Sequence, residues 1–195
     1  MPVTQSTVAP RGTHPDSDPL CLSPGAWFRI TFVTFWIALL AHEAAHWGVA
    51  RVVYSPTDLS TGRVAPHDQV LVVSAGPTFT LATIVLCAAL TTRVRKARAI
   101  GIAAIAFGVS RILIIAPATL LSRGMNDERT VAHLLGVPAR LLWIAEAAVA
   151  MAAVAFVARA TPVAQRRRAV IWIGVGIVAG WISALTLGRA IGLPI

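Results

Sequence analysis

An all-α integral membrane protein, built as a bundle of about five transmembrane helices, is the fold class this sequence predicts, on three observations. Apolar residues make up 56% of the 195 and charged residues only 13%, with a mean hydropathy of +0.73. Soluble domains carry about 25% charged residues, so half of the usual solvating surface is missing. Five runs of Ala, Ile, Leu and Val, at about 27–53, 70–90, 99–121, 141–157 and 169–187, supply the roughly 20 residues that a helical bilayer crossing needs. These runs lack the period-two alternation of barrel strands, which leaves helices. Disorder is excluded by the same composition, since it requires low hydrophobicity and high charge density.

The ends and the charges frame these spans. Residues 1–25 are broken by Pro2, Pro10, Pro15, Pro19 and Pro24, and predict a disordered tail rather than a cleaved leader. Seventeen Lys+Arg against eight Asp+Glu give a formal charge of +9, but all the cations except Lys96 are Arg, mostly in short clusters between the apolar runs. They read as topology signals, so the expected surroundings are a lipid bilayer and no nucleic acid. Cys21 and Cys87 are too few for a disulfide framework or a cysteine zinc site.

On the side holding the N-terminus lie Arg11, Arg93, Arg95, Lys96, Arg98, Arg159, Arg166, Arg167 and Arg168. The opposite side holds Arg51, Arg63, Arg123, Arg129, Arg140 and Arg189, diluted by Asp58, Asp68, Asp127 and Glu128. Nine cations against six place the N-terminus in the cytoplasm of a multi-pass protein of the cell membrane.

Between the spans, residues 54–68 contain Pro56, Gly62 and Pro66 and predict a loop or short hairpin. Residues 126–136 predict a short helix. Asn126 is its N-cap, Asp127 and Glu128 suit the positive helix end, and Gly136 with Pro138 stops it. Arg111 and Glu146, the charges inside the third and fourth spans, are expected to form a buried ion pair, the alternative being a role at the site. Gly176-x-x-x-Gly180 and Gly188-x-x-x-Gly192 in the fifth span are packing stripes, either internal or the face of a homodimer.

The first span carries the chemistry. His42, Glu43 and His46 put three ionisable groups within five residues of an apolar helix, where each is expensive. His42 and His46 stand at i and i+4, so both imidazoles reach one metal ion, with Glu43 beside them. Such a His-Glu-x-x-His pattern is the arrangement of zinc hydrolases, in which the carboxylate takes the proton of a water that the metal acidifies. A zinc site needs a third protein ligand. His14, His67, His133 and the acids are the candidates. His46 lies seven residues, about 10 Å, below the far end of its span. Asp127 follows the third span at that same end, and meets the histidines if the chain dips back into the bundle; His133 remains the alternative.

Three elements in this order resemble the site-2 protease family of intramembrane zinc metalloproteases: His42-Glu43-Ala44-Ala45-His46, then Ala75-Gly76-Pro77 early in the next span, then Asp127 followed by Leu134-Leu135-Gly136. The resemblance covers about residues 37–136. It implies zinc held by His42, His46 and Asp127, Glu43 as catalytic base, and membrane-spanning protein or peptide substrates. It also implies a three-helix zinc peptidase core over 26–136, with 137–195 as two further transmembrane helices. Two positions depart from the family pattern: Thr80 stands where an Asn is common, and Asn126-Asp127-Glu128 replaces Leu-Asp-Gly. The Ala75-Gly76-Pro77 element has a physical reading of its own. Gly76 falls about 12 Å inside its span, level with the histidines, and its lack of a side chain lets the two helices approach.

Two rivals follow. A membrane di-iron oxygenase uses about eight histidines, more than the five present. A non-proteolytic metal-binding protein of the same fold, acting as a chaperone or regulator, has no use for Glu43.

Overall fold

All five long apolar runs fold as helices, because in hydrocarbon a chain must satisfy its backbone N–H and C=O groups within itself. The computed structural model describes residues 22–54, 65–94, 97–121, 126–161 and 163–191. In chain order the helices are α1 (Pro24–Val53), α2 (Pro66–Arg93), α3 (Arg98–Leu120), α4 (Asp127–Leu135), α5 (Ala139–Arg159) and α6 (Val163–Ala190). All but α4 are long and apolar enough to cross a bilayer, so the chain is a multi-pass integral membrane protein. Large apolar side chains such as Val33, Ile37, Leu40, Leu113 and Ile182 stand on the outside of the bundle, the surface a bilayer solvates.

The helices start where local chemistry lets them. Ser23 caps α1 by accepting the Ala26 N–H at 3.2 Å, and Pro24 occupies the first position, where a missing N–H costs nothing. Of the expected tail, 1–25, only its last four residues are described, and Pro24 and Gly25 already belong to α1. Pro66 opens α2 in the same way, with Asp68 in its first turn, so the end of the expected 54–68 loop is helical. Residues 55–64 of that loop lie outside the described residues. The short helix α4 forms as its sequence predicts. Asn126 Oδ1 accepts the Arg129 N–H at 2.8 Å, and Gly136 ends the helix at φ +67°, a conformation that favours glycine.

α3 is the central helix and contributes to two cores. On one side Phe107 joins Trp27, Phe35 and Ala38 of α1 and Ile173 and Ile177 of α6; on the other, Ile105 and Ile112 join Ile84 and Ala88 of α2 and Ala150 and Ala153 of α5. Phe35 meets Phe107 and Trp181 edge-on at 5.3 and 5.1 Å, and Trp181 donates its indole N–H to Ser110 at 3.1 Å. The Gly176-x-x-x-Gly180 stripe faces inward. A methyl group at Gly176 would press on Thr31, and one at Gly180 would lie 2.5 Å from the Phe35 ring, so α1 of the same chain occupies that face. α1 therefore packs as extensively on α6 as on α2, while α4 lies across α2 and α5.

Candidate metal centre

The buried stripe of α1 runs Trp27, Thr31, Phe35, Ala38, His42, at spacings that keep one helical face turned inward. His42 is the last member of that seam, and His46 stands one turn further on, half-buried. The two imidazoles meet nearly edge-on, 5.0 Å apart at 84°. Each is held through its Nδ1, so that both Nε2 atoms point the same way. His42 Nδ1 lies 2.9 Å from Thr80 Oγ1, and His46 Nδ1 lies 2.7 Å from the Val72 carbonyl. A carbonyl oxygen can only accept, so His46 carries a hydrogen on Nδ1; in the neutral imidazole that a metal requires, the lone pair is then on Nε2.

Gly76 makes this arrangement possible. A methyl group there would collide with Nε2 of His46 and with the His42 ring, so only glycine leaves room for the histidines against α2. Pro77, one residue on, lacks the N–H that would serve the Val73 carbonyl and loosens the same turn; the neighbouring Val72 carbonyl is the one His46 uses.

Asp127 arrives as the first residue of α4. Its Oδ2 lies 3.2 Å from His42 Nε2 and 3.3 Å from His46 Nε2, and the two Nε2 atoms are 3.3 Å apart. Burial by itself would raise the Asp127 carboxyl, but the hydrogen bonds to both histidines and the Arg111 charge outweigh it and hold the group well below the usual carboxylate range. The structure thus brings together the three predicted ligands, a group able to hold a metal ion. His67 is exposed and paired with Asp68 at 2.8 Å, and His133 is exposed on α4; neither joins the cluster. His14 lies outside the described residues.

The cluster fits a tetrahedral ion. A tetrahedron with bonds of about 2.0–2.1 Å has edges of roughly 3.3–3.4 Å, close to the three separations here. One proton can bridge a single edge of such a triangle, whereas a divalent cation bonds all three corners. The ring nitrogens that face away are hydrogen-bonded to Thr80 and to a carbonyl, the outer support that metal-binding histidines have. Thr80, where the sequence departs from the family pattern, therefore holds His42.

The expected Arg111–Glu146 pair does not form. Arg111 reaches Asp127 Oδ2 through Nη2 at 2.9 Å and Glu128 Oε1 through Nη1 at 2.6 Å. Because α4 folds back into the bundle, its first turn offers two adjacent carboxylates to the guanidinium fork, and Glu146 is left buried on α5 without a bond to Arg111. Glu128 is wholly buried, and its Oε2 has no hydrogen-bond partner among the described residues. Glu128 was not evident from the sequence, where a carboxylate in a first helical turn needs no explanation beyond the helix dipole.

Glu43 differs from the three clustered residues. It follows His42 directly, but its side chain is exposed and makes no hydrogen bond or ion pair among the described residues. No family model, no curated protein and no solved structure matches this chain, so its geometry and chemistry carry the functional reading.

Proposed function

We propose that the protein is an intramembrane zinc metalloprotease that hydrolyses peptide bonds of membrane-spanning substrates. The observation that carries this reading is the near-equilateral triangle of His42 Nε2, His46 Nε2 and Asp127 Oδ2, with edges of 3.2 to 3.3 Å, on a helix where Glu43 directly follows His42. Two neutral imidazoles and one carboxylate leave a bound Zn²⁺ with net positive charge, and the ion supplies Lewis acidity to a scissile carbonyl and to water. His42 and His46 hold it from α1, and Asp127 from α4. Arg111 fixes the Asp127 carboxylate by donating to the oxygen that faces the histidines.

Glu43 acts as general base: it takes a proton from the attacking water and passes it to the departing amine. Its exposure supports this role. A carboxylate on the outer face of a membrane span is costly unless water or substrate reaches it, and a metal ligand set alone would not need one. Since a helix hides its carbonyls in its own hydrogen bonds, the substrate unwinds locally before it is cut.

The site lies on the side where α1 ends and α4 begins, which the arginine count assigns outside the cytoplasm. The test of the reading is cleavage of a membrane-spanning reporter by the reconstituted protein, with and without Glu43→Gln. This substitution preserves size and removes the base, so metal is retained and cleavage is lost. Metal binding without cleavage of any reporter by the parent protein would favour the chaperone or regulator instead.

A further inference from the structure

α5 and α6 follow one another across a short turn, yet they barely touch. Between them, floored by α3, lies a cavity of about 520 Å³. None of its lining residues belongs to the metal centre. Its walls are almost entirely aliphatic, and the polar exceptions are Ser110, Thr161 and Arg166. Both hydroxyls are already satisfied: Ser110 donates to the Phe107 carbonyl at 2.7 Å and accepts from Trp181, and Thr161 donates to the Val157 carbonyl at 2.9 Å. Arg166 gives its Nε to the Thr161 carbonyl at 2.7 Å, and among the described residues no carboxylate meets its guanidinium. The cavity thus has an apolar interior and one charge, at one end.

The geometry points to a bound anionic phospholipid, one acyl chain in the cleft and its phosphate on Arg166. Length supports this occupant. From Arg166 to Ile177, eleven helical steps along α6, the lining runs about 16 Å, the depth of one leaflet of a bilayer whose hydrocarbon is about 30 Å thick. A transmembrane helix would need both leaflets. Charge supports it too, because Arg159 in the last turn of α5 and Arg167 beside Arg166 stand exposed at the same end, where a basic pocket between spans receives an anionic headgroup. A polar solute would find nothing to bond inside. This inference is independent of the proteolytic reading.

Gly174 provides the test. It lines the cleft, and a Cβ built there meets nothing within 4 Å, so the side chain of Gly174→Leu starts in open space and takes up cleft volume. The purified, delipidated full chain is titrated with phosphatidylglycerol or phosphatidylcholine and read by native mass spectrometry, with circular dichroism as a check on folding. One phosphatidylglycerol per chain is expected, favoured about five-fold over phosphatidylcholine, as roughly 1 kcal/mol per cation implies. Arg166→Gln removes that preference, and Gly174→Leu, still helical, loses both lipids. Phosphatidylglycerol retained at the parent level by Gly174→Leu would overturn the proposal. So would a dimer that this substitution dissociates, since a second copy would then fill the cleft.

Discussion

The buried stripe of α1 meets two neighbours by the same device, with opposite consequences. Over its first half, Thr31 and Phe35 press against Gly176 and Gly180 of α6; further along, His42 and His46 press against Gly76 of α2. In both places a missing side chain lets two helices approach closely. Against α6 the atoms brought together are methyl and ring carbons, and the contact yields dispersion and shape. Against α2 they are ring nitrogens, placed where Thr80, the Val72 carbonyl and Asp127 converge. The glycine only sets the spacing. Whether that spacing yields stability or chemistry depends on what α1 carries opposite it.

This contrast can be tested at both ends. The largest effect is expected at Arg111, whose charge holds the metal end together. Arg111→Leu leaves Glu128 buried with its charge uncompensated and costs about 3 to 5 kcal/mol of stability, measured by unfolding in detergent. Adding Glu128→Leu should recover part of that loss, and adding Glu146→Leu should recover less. Equal recovery by the two would return Glu146 to the position of principal partner.

Gly180→Ala comes next. It forces a methyl group into the Phe35 ring, which is itself locked between Phe107 and Trp181, at a cost of about 1 to 3 kcal/mol with metal content unchanged. Gly76→Ala reverses the pattern. The atoms it meets are the ends of two imidazoles, which can turn aside, so stability falls less while metal affinity drops about 10- to 100-fold. If both alanines lowered stability and left metal binding alone, the two contacts would be equivalent and the comparison would fail. The smallest effect is expected from Thr80→Val, which keeps the shape and removes only the hydroxyl on His42 Nδ1: about tenfold in metal affinity, read by competition with a chelator.

The sequence made one end of this contrast readable and concealed part of the other. Five spans follow from apolar run length, and the real helices extend past those runs, as α2 does to Pro66, because capping prolines and first-turn acids lie outside any hydrophobic window. His42 and His46 are legible because i, i+4 spacing is a local property of a helix. Asp127 requires the chain to fold back after α3. That same fold-back, carried one residue further, brings Glu128 to Arg111. Nothing local announces it, since the charge of Glu128 already suits the start of α4. The inward face of Gly176 and Gly180 was likewise open from sequence, because a small-residue stripe fits an internal neighbour as well as a second copy.

The central claim is that His42, His46 and Asp127 form one metal centre beside a separate base. Elemental analysis of the purified protein and three variants tests it most directly. The parent and Glu43→Gln should each carry about one zinc per chain, and Asp127→Ala should lose it, since a site reduced to two protein ligands loses much of its affinity. Zinc retained in full by Asp127→Ala but lost on His133→Ala would contradict this assignment of the centre.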